Sequence, residues 1–260
     1  MQSLTLLKVY VTLSLKSLMA FRFQFVSYIL HWIISLFINS FFWWIMFKHL
    51  PKSIGEWNFY DLCLLNSLCY ISWGIFTIFW GFHLIPDKII NGQMDKFLCR
   101  PMSPLIGLIG EGFYPSAIYE IISGLGLVIF FMHLSEQAFS LKLIFLSSLA
   151  ILMGTYCVIL FHAIIALLSL WLGRINILQS MLHELDEFQR YPSNFFPKKI
   201  SMLLKVGIPL YFPGTFACSI LLEKHILPYD WILLIGLCCI FTLLFIFIYS
   251  ESLKNYVSAN

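Results

Sequence analysis

The chain has 260 residues and a net charge of +3, with 60% hydrophobic, 18% aromatic and only 11% charged residues. An ordinary soluble domain carries about 25% charged residues, and so few cannot cover the surface of a soluble globule of this size. That excludes a cytosolic enzyme, a secreted domain, a disordered chain and a nucleic-acid-binding protein. The solvent is lipid.

At the N-terminus, Leu4, Leu7, Val11, Leu15 and Leu18 recur at helical spacing, with Thr5, Lys8, Thr12 and Lys16 between them. The pattern predicts an amphipathic helix over residues 1–20, lying in the membrane interface. It is not a cleaved leader, because Lys16 and Arg22 interrupt it before the long apolar run begins.

Uncharged windows then mark the spans. There are 25 uncharged residues between Arg22 and Lys48, 25 between Asp61 and Asp87, 31 between Lys142 and Arg174, and 20 between Asp230 and Glu251. A helix needs roughly 20 apolar residues to cross a bilayer core. Period-two alternation is missing, which disfavours a β-barrel. Two flawed stretches complete the set. Residues 104–132 carry Glu111 and Glu120, and residues 200–222 carry Lys205 and are broken by Pro209 and Pro213. The fold class is therefore an all-α integral membrane protein forming one domain over residues 1–260. Its six spans lie at about 23–47, 62–85, 104–132, 143–172, 200–222 and 231–250.

Between spans two and three, residues 86–103 form a loop with unusual content. Ile85, Ile89, Ile90, Met94, Phe97 and Leu98 supply apolar positions, while Asp87, Lys88, Asp95 and Lys96 are expected to face water. Asn91-Gly92 is a turn signal, so two short helical pieces should meet at a corner. Pro101 and Pro104 end the second piece. A cornered amphipathic element of this kind suits insertion into a groove on a cytosolic partner.

Within span three, Glu111 and Glu120 are nine residues apart, about 900° of helix, and so point to roughly opposite faces. They are candidate polar residues of the bundle or of a path through it, and do not form a paired acid/base site. After span four, residues 175–196 contain Glu184, Asp186 and Glu187. So acidic a stretch reads as a cytosolic amphipathic helix. The alternative makes it span five, with residues 200–222 becoming a re-entrant pair. With the N-terminus inside, the cytosolic segments then hold eleven Lys and Arg against four outside. This positive-inside bias puts both termini in the cytosol. Trp32, Phe41, Phe42, Trp73 and Trp80 suit a path for an amphiphilic cargo, whereas Trp43, Trp44 and Trp57 read as an interfacial belt.

Signs of catalysis are missing. The chain has no Gly-Lys pair and hence no phosphate-binding P-loop, no H-E-x-x-H and no G-x-S-x-G. Its seven cysteines make no C-x-x-C pair and read as packing residues, so neither zinc nor a disulfide framework is indicated.

The string I-x-x-G-x-x-D-x-x-L-x-R-P over residues 89–101 resembles the signature of ABC transporter type-2 (ABC-2 family) permeases. It is closest to the branch of about 260 residues that lacks a fused ATPase. Four further strings are similar to that branch and stand in its order: Ile54-Gly55-Glu56-Trp57, Glu187-Phe188-Gln189-Arg190-Tyr191-Pro192, Ile208-Pro209 with Pro213, and Leu253-Lys254-Asn255-Tyr256-Val257-Ser258-Ala259. The resemblance implies a half-transporter with an N-terminal interfacial helix and a coupling helix between spans two and three. It also implies a re-entrant segment broken by Pro and Gly before the last span. It implies an exporter subunit of a bacterial cytoplasmic (inner) membrane, paired with a second permease, identical or similar. Two copies of a separate ATPase would bind the ATP and Mg, leaving none on this chain. Asp87, Ile89, Gly92, Asp95, Leu98, Arg100 and Pro101 would then contact the ATPase. The competing expectation is a polytopic membrane enzyme acting on a lipid-linked substrate. It would need convergent polar residues at one depth.

Overall fold

The computed structural model describes residues 2–20, 22–49, 56–99, 103–135, 140–173, 175–224 and 228–255. Helix α1 (Gln2–Ala20) leads into α2 (Arg22–His49), a 28-residue helix free of charge from Phe23 to Phe47. In α1, Lys8, Thr12 and Lys16 are exposed and Val11 and Leu15 are half-buried, as the spacing predicts. Tyr10 packs on Gly110, which seats α1 against the later helix α6.

Among the described residues, four helices are long and apolar enough to cross a membrane: α3 (Phe59–Ile78), α7 (Ser116–Leu134), α8 with its short continuation α9 (Leu141–Leu172), and α13 (Pro228–Lys254). A fifth crossing is possible if the pair Lys198–Gly207 and Phe212–Leu221, bent by 92°, counts as one span. Between these lie the short helices α4 (Ile85–Ile90), α5 (Asp95–Leu98), α6 (Pro104–Glu111), α10 (Asn176–Asp186), α11 (Lys198–Met202) and α12 (Ala217–Leu221).

Small residues set the closest helix contact. A Cβ on Gly74 of α3 would lie 2.6 Å from Ile121, and one on Gly124 of α7 would lie 2.9 Å from the backbone of Ile71. These glycines let the two backbones meet, as small residues do in lipid, where no hydrophobic force draws helices together. The pair is antiparallel. By contrast, α8 runs parallel both to α3 (Ser72 Oγ to Thr155 Oγ1, 2.8 Å; Phe76 and His162 ring centres, 5.0 Å) and to α13 (Cys238 Sγ to the Met153 carbonyl, 3.7 Å; Tyr156 Oη to Thr242 Oγ1, 2.9 Å).

Because α8 and α13 are parallel neighbours, the chain between them must return to the end from which α8 started. The contacts show that it does so in two pieces. First, α10 climbs from the C-terminal end of α8. Leu182 joins the buried cluster that holds Ala163 and Ala166, and Asp186 meets His162. The chain next reaches the middle of α3, where Cys69 Sγ lies 3.4 Å from the Gln189 carbonyl. It leaves sideways through Lys198–Gly207 and comes back beside Gln189 at Gly214. From there Phe212–Leu221 completes the climb, with Pro213 against Gly154 and the Ala217 carbonyl accepting from Ser147 Oγ at 2.8 Å. Single π-helical turns at Leu203–Gly207 and Phe212–Phe216 flank the bend.

Three expectations change. Residues 175–196 are not one helix standing apart from the bundle; α10 gives way to short 3-10 turns, and the segment runs into the bundle as far as Trp43, whose ring is 5.9 Å from that of Tyr191. Their acidity misleads because only Asp186 turns inward, where it meets His162 at 3.1 Å, while Glu184 and Glu187 stay exposed and Glu187 pairs with Arg190 at 3.1 Å. Residues 104–132 do not form one helix either, since the chain breaks between α6 and α7 around Gly112 and Pro115. The nine-residue face argument for Glu111 and Glu120 therefore does not apply. Finally, Trp43 (4% exposed) and Trp57 (2%) are core residues and not belt residues, whereas Trp44 is exposed.

Candidate functional site

The loop after α3 folds as two short helices meeting at a corner. Pro86 occupies the first turn of α4, where a missing N–H costs nothing. The corner is at Gly92, whose φ of 63° lies in the left-handed region. It is closed by hydrogen bonds from the Gln93 and Met94 N–H groups to the Lys88 carbonyl, at 2.8 and 3.2 Å. Met94 and Phe97 point inward and are buried. Phe97 packs under Gly107 of α6, where a Cβ would come within 2.5 Å of the ring.

Glu111, at the end of α6, holds this element from behind. Its carboxylate receives Lys88 Nζ at 2.6 Å and Lys96 Nζ at 2.7 Å. Both ammonium groups also face the Phe97 ring, at 5.2 and 4.9 Å. Burial alone would raise the Glu111 carboxyl, but the hydrogen bonds and charges of the two lysines outweigh it and hold the group below its ordinary value. Lys88 therefore does not face water as its place in the sequence suggests: it is buried, and Glu111 is its counter-ion.

The other predicted residues fall around this clamp. Asp87 is exposed and accepts from Asn176 Nδ2 at 2.7 Å, tying the corner to the first residue of α10. Asp95 is half-buried at the start of α5. Half-buried Ile89 and exposed Leu98 line a small apolar recess with Met94, Leu167 and Tyr249. Arg100 and Pro101 lie outside the described residues.

Glu187, Arg190, Tyr191 and Pro192 stand away from the clamp. Glu187 and Arg190 pair at 3.1 Å, the Arg190 guanidinium lies 5.4 Å from the Tyr70 ring centre, Tyr191 meets Trp43, and Pro192 is buried. Helix α10 joins the two places, with Asn176 at one end and Asp186 at the other. Glu120 is on neither. It is buried in α7 and accepts from Thr77 Oγ1 of α3 at 2.8 Å.

Sequence reasoning misses one group. Where α3 ends, His83, His183 of α10 and His162 of α8 gather with Trp73, Phe76 and Trp80. Trp80 stacks on His83 at 4.6 Å, Trp73 meets His183 at 4.9 Å, and Phe76 meets His162 at 5.0 Å. The only advance signal was the density of aromatic residues before Pro86. Among the described residues, no group of three His, Cys, Asp or Glu could hold a metal ion.

A family model described as "ABC-2 family transporter protein" matches residues 33–260. No curated protein matches the chain, and no solved structure does. The family match covers every long apolar helix from most of α2 onward, together with the clamped corner between α3 and α6. The chain belongs to the ABC-2 family of transporter proteins and is a multi-pass membrane permease.

Proposed function

We propose that the chain is the membrane subunit of an ATP-driven exporter whose ATPase is a separate polypeptide. Two permease subunits enclose the path, two ATPase copies dock beneath them, and Mg and ATP bind there. The chain sits in a bacterial cytoplasmic membrane with both termini inside. It crosses six times: α2, α3, α7, α8, the two-piece climb through α10 and Phe212–Leu221, and α13. Export as the direction follows from the family resemblance, and the lack of any Gly-Lys pair agrees with hydrolysis on another chain.

The observation that carries this reading is the Lys88–Glu111–Lys96 clamp. A connector between spans needs no buried lysine, whereas an element that transmits force must be stiff. Asp87–Asn176 then passes a push at the corner to α10, whose far end is anchored at His162 in the bundle. Such a rigid-body shift is a known route from inward- to outward-facing states.

The test uses Gly92→Val and Arg100→Ala in the reconstituted complex. A β-branched residue at Gly92 must leave the left-handed region, costing about 1–2 kcal/mol. Both variants should insert normally, yet lose co-purification of the ATPase or cargo-stimulated hydrolysis. Parental binding and coupling in both would overturn the coupling role.

A further inference from the structure

Between α2, α3 and α7 lies a small cavity, lined on α2 by Asn39, Ser40 and Trp43 and on α3 by Asn66, Ser67 and Tyr70. Asn66 is 6% exposed, and its Oδ1 is buried with no hydrogen-bond partner. Its Nδ2 donates to the Leu62 carbonyl at 2.9 Å, so the amide orientation is fixed with the oxygen left over. Two of the neighbouring hydroxyls are already committed, since Ser67 Oγ donates to the Cys63 carbonyl at 2.7 Å and Tyr70 Oη pairs with Ser35 Oγ at 3.3 Å; the half-buried Asn39 and Ser40 form the α2 side of the cavity.

We propose that this cavity is a binding site for one hydroxyl group, which donates to Asn66 Oδ1 and bridges α3 to α2. Toward Asn66 the occupant has to be a donor, because the one unpartnered atom of that side chain is an acceptor, while the occupant's own oxygen can meet Ser40 or Asn39 across the cavity on α2. It has to be neutral, because the lining holds no carboxylate to balance a charge and the far wall is Leu127 and Phe131. It has to be small, because the cavity of about 10 Å³ is near the roughly 10–15 Å³ that admits a single water. Inside a bundle surrounded by lipid, an unsatisfied acceptor is costly, and no bulk water is at hand to relieve it. The hydroxyl comes either from a trapped water or from the polar end of an amphiphile reaching between the two helices. The inference rests on α2 and α3 lying within the membrane and is independent of any ATPase partner.

The sign of one stability change tests it. In lipid nanodiscs, Asn66→Leu keeps the side-chain size and removes the acceptor. If a hydroxyl is bound, its partner is lost and thermal stability falls by several degrees, at about 2–4 °C per kcal/mol for a chain of this size. An empty cavity makes Asn66 an orphan, and its removal raises stability or leaves it unchanged, which overturns the proposal. Should Asn66→Leu fail to fold, oxygen-sized density within hydrogen-bonding distance of Asn66 Oδ1, in a structure of the parental protein, decides the matter; its absence overturns the proposal. The two sources are separated with dioctanoylglycerol and its acetate ester, which differ only in the free hydroxyl. Stabilisation of the parental protein by the alcohol alone, abolished by Asn66→Leu, identifies an amphiphile. Stabilisation by neither, with a destabilised Asn66→Leu, identifies water.

Discussion

At the residue scale, two carboxylates from one expected span have unlike roles. Glu111 is a counter-ion. Its carboxyl is depressed in the folded protein, so the clamp contributes fully above the ordinary Glu value of about 4.3 and is lost as pH falls below it. Glu111→Gln should remove the same contribution at neutral pH, worth about 1 kcal/mol because Glu111 and Lys96 are exposed and solvent screens them. Hydrogen exchange over residues 88–98 is the readout: the parental protein should lose protection on acidification, while the Gln variant starts low and changes little. Glu120 differs because its partner has a second acceptor, since Thr77 Oγ1 also lies 2.9 Å from the Trp73 carbonyl. Removing the carboxyl therefore leaves no donor stranded. Glu120→Gln and Glu120→Leu should both assemble at parental yield, measured by fluorescence-detected size exclusion. Normal yield with abolished transport would move Glu120 onto the cargo path. Neither role was legible in the sequence. Fifteen residues separate Lys96 from Glu111, and nothing local says that a carboxylate after α6 should reach back to an earlier loop.

At the element scale, the corner between α4 and α5 was legible because its cause is local: Asn91-Gly92 sets the turn, and the apolar positions on either side have helical spacing. The long apolar helices were legible for the same reason. The segment after α8 was not, because the acidity of Glu184, Asp186 and Glu187 counts against a course into the bundle, and nothing local says that Asp186 alone turns inward, to His162, while the two glutamates stay exposed. That segment makes its own prediction. At the join between the two pieces of the climb, a Cβ on Gly214 would lie 2.5 Å from the Gln189 carbonyl oxygen, and backbone on both sides leaves no flexible neighbour to yield. Gly214→Ala should cost about 1–3 kcal/mol as an overpacked contact. In the melting of the purified protein it should be far worse than Gly126→Ala or Gly236→Ala, since an added Cβ at either of those glycines meets nothing within 4 Å.

At the scale of the whole molecule, the parallel pairing of α8 with α13 rules on topology more firmly than charge counting does. Single cysteines at Lys52, Gln137 and Lys224, in a cysteine-free background, should react with an impermeant thiol reagent on intact cells, and one at Gln93 only after lysis. Asn194 is the discriminating position. Charge counting puts it inside, but Ser193 N–H donates to Thr215 Oγ1 at 3.1 Å, past the halfway point marked by Pro213 and Gly154. A cysteine there should label from outside; labelling only after lysis would restore the cytosolic placement. The divided climb also bears on biogenesis. As residues leave the ribosome, α10 offers the insertion machinery an 11-residue helix ending in an aspartate, about half the apolar length that is recognised as a span. Its polar groups find their partners on α3 and α8, and the piece that finishes the climb is sealed by Lys224 to Asp61 at 2.7 Å. If the two pieces make one crossing, as proposed, it should not be inserted in turn like the others. It should be drawn into place late, as a tertiary folding event inside the membrane, once the helices on either side of it are already there to receive it.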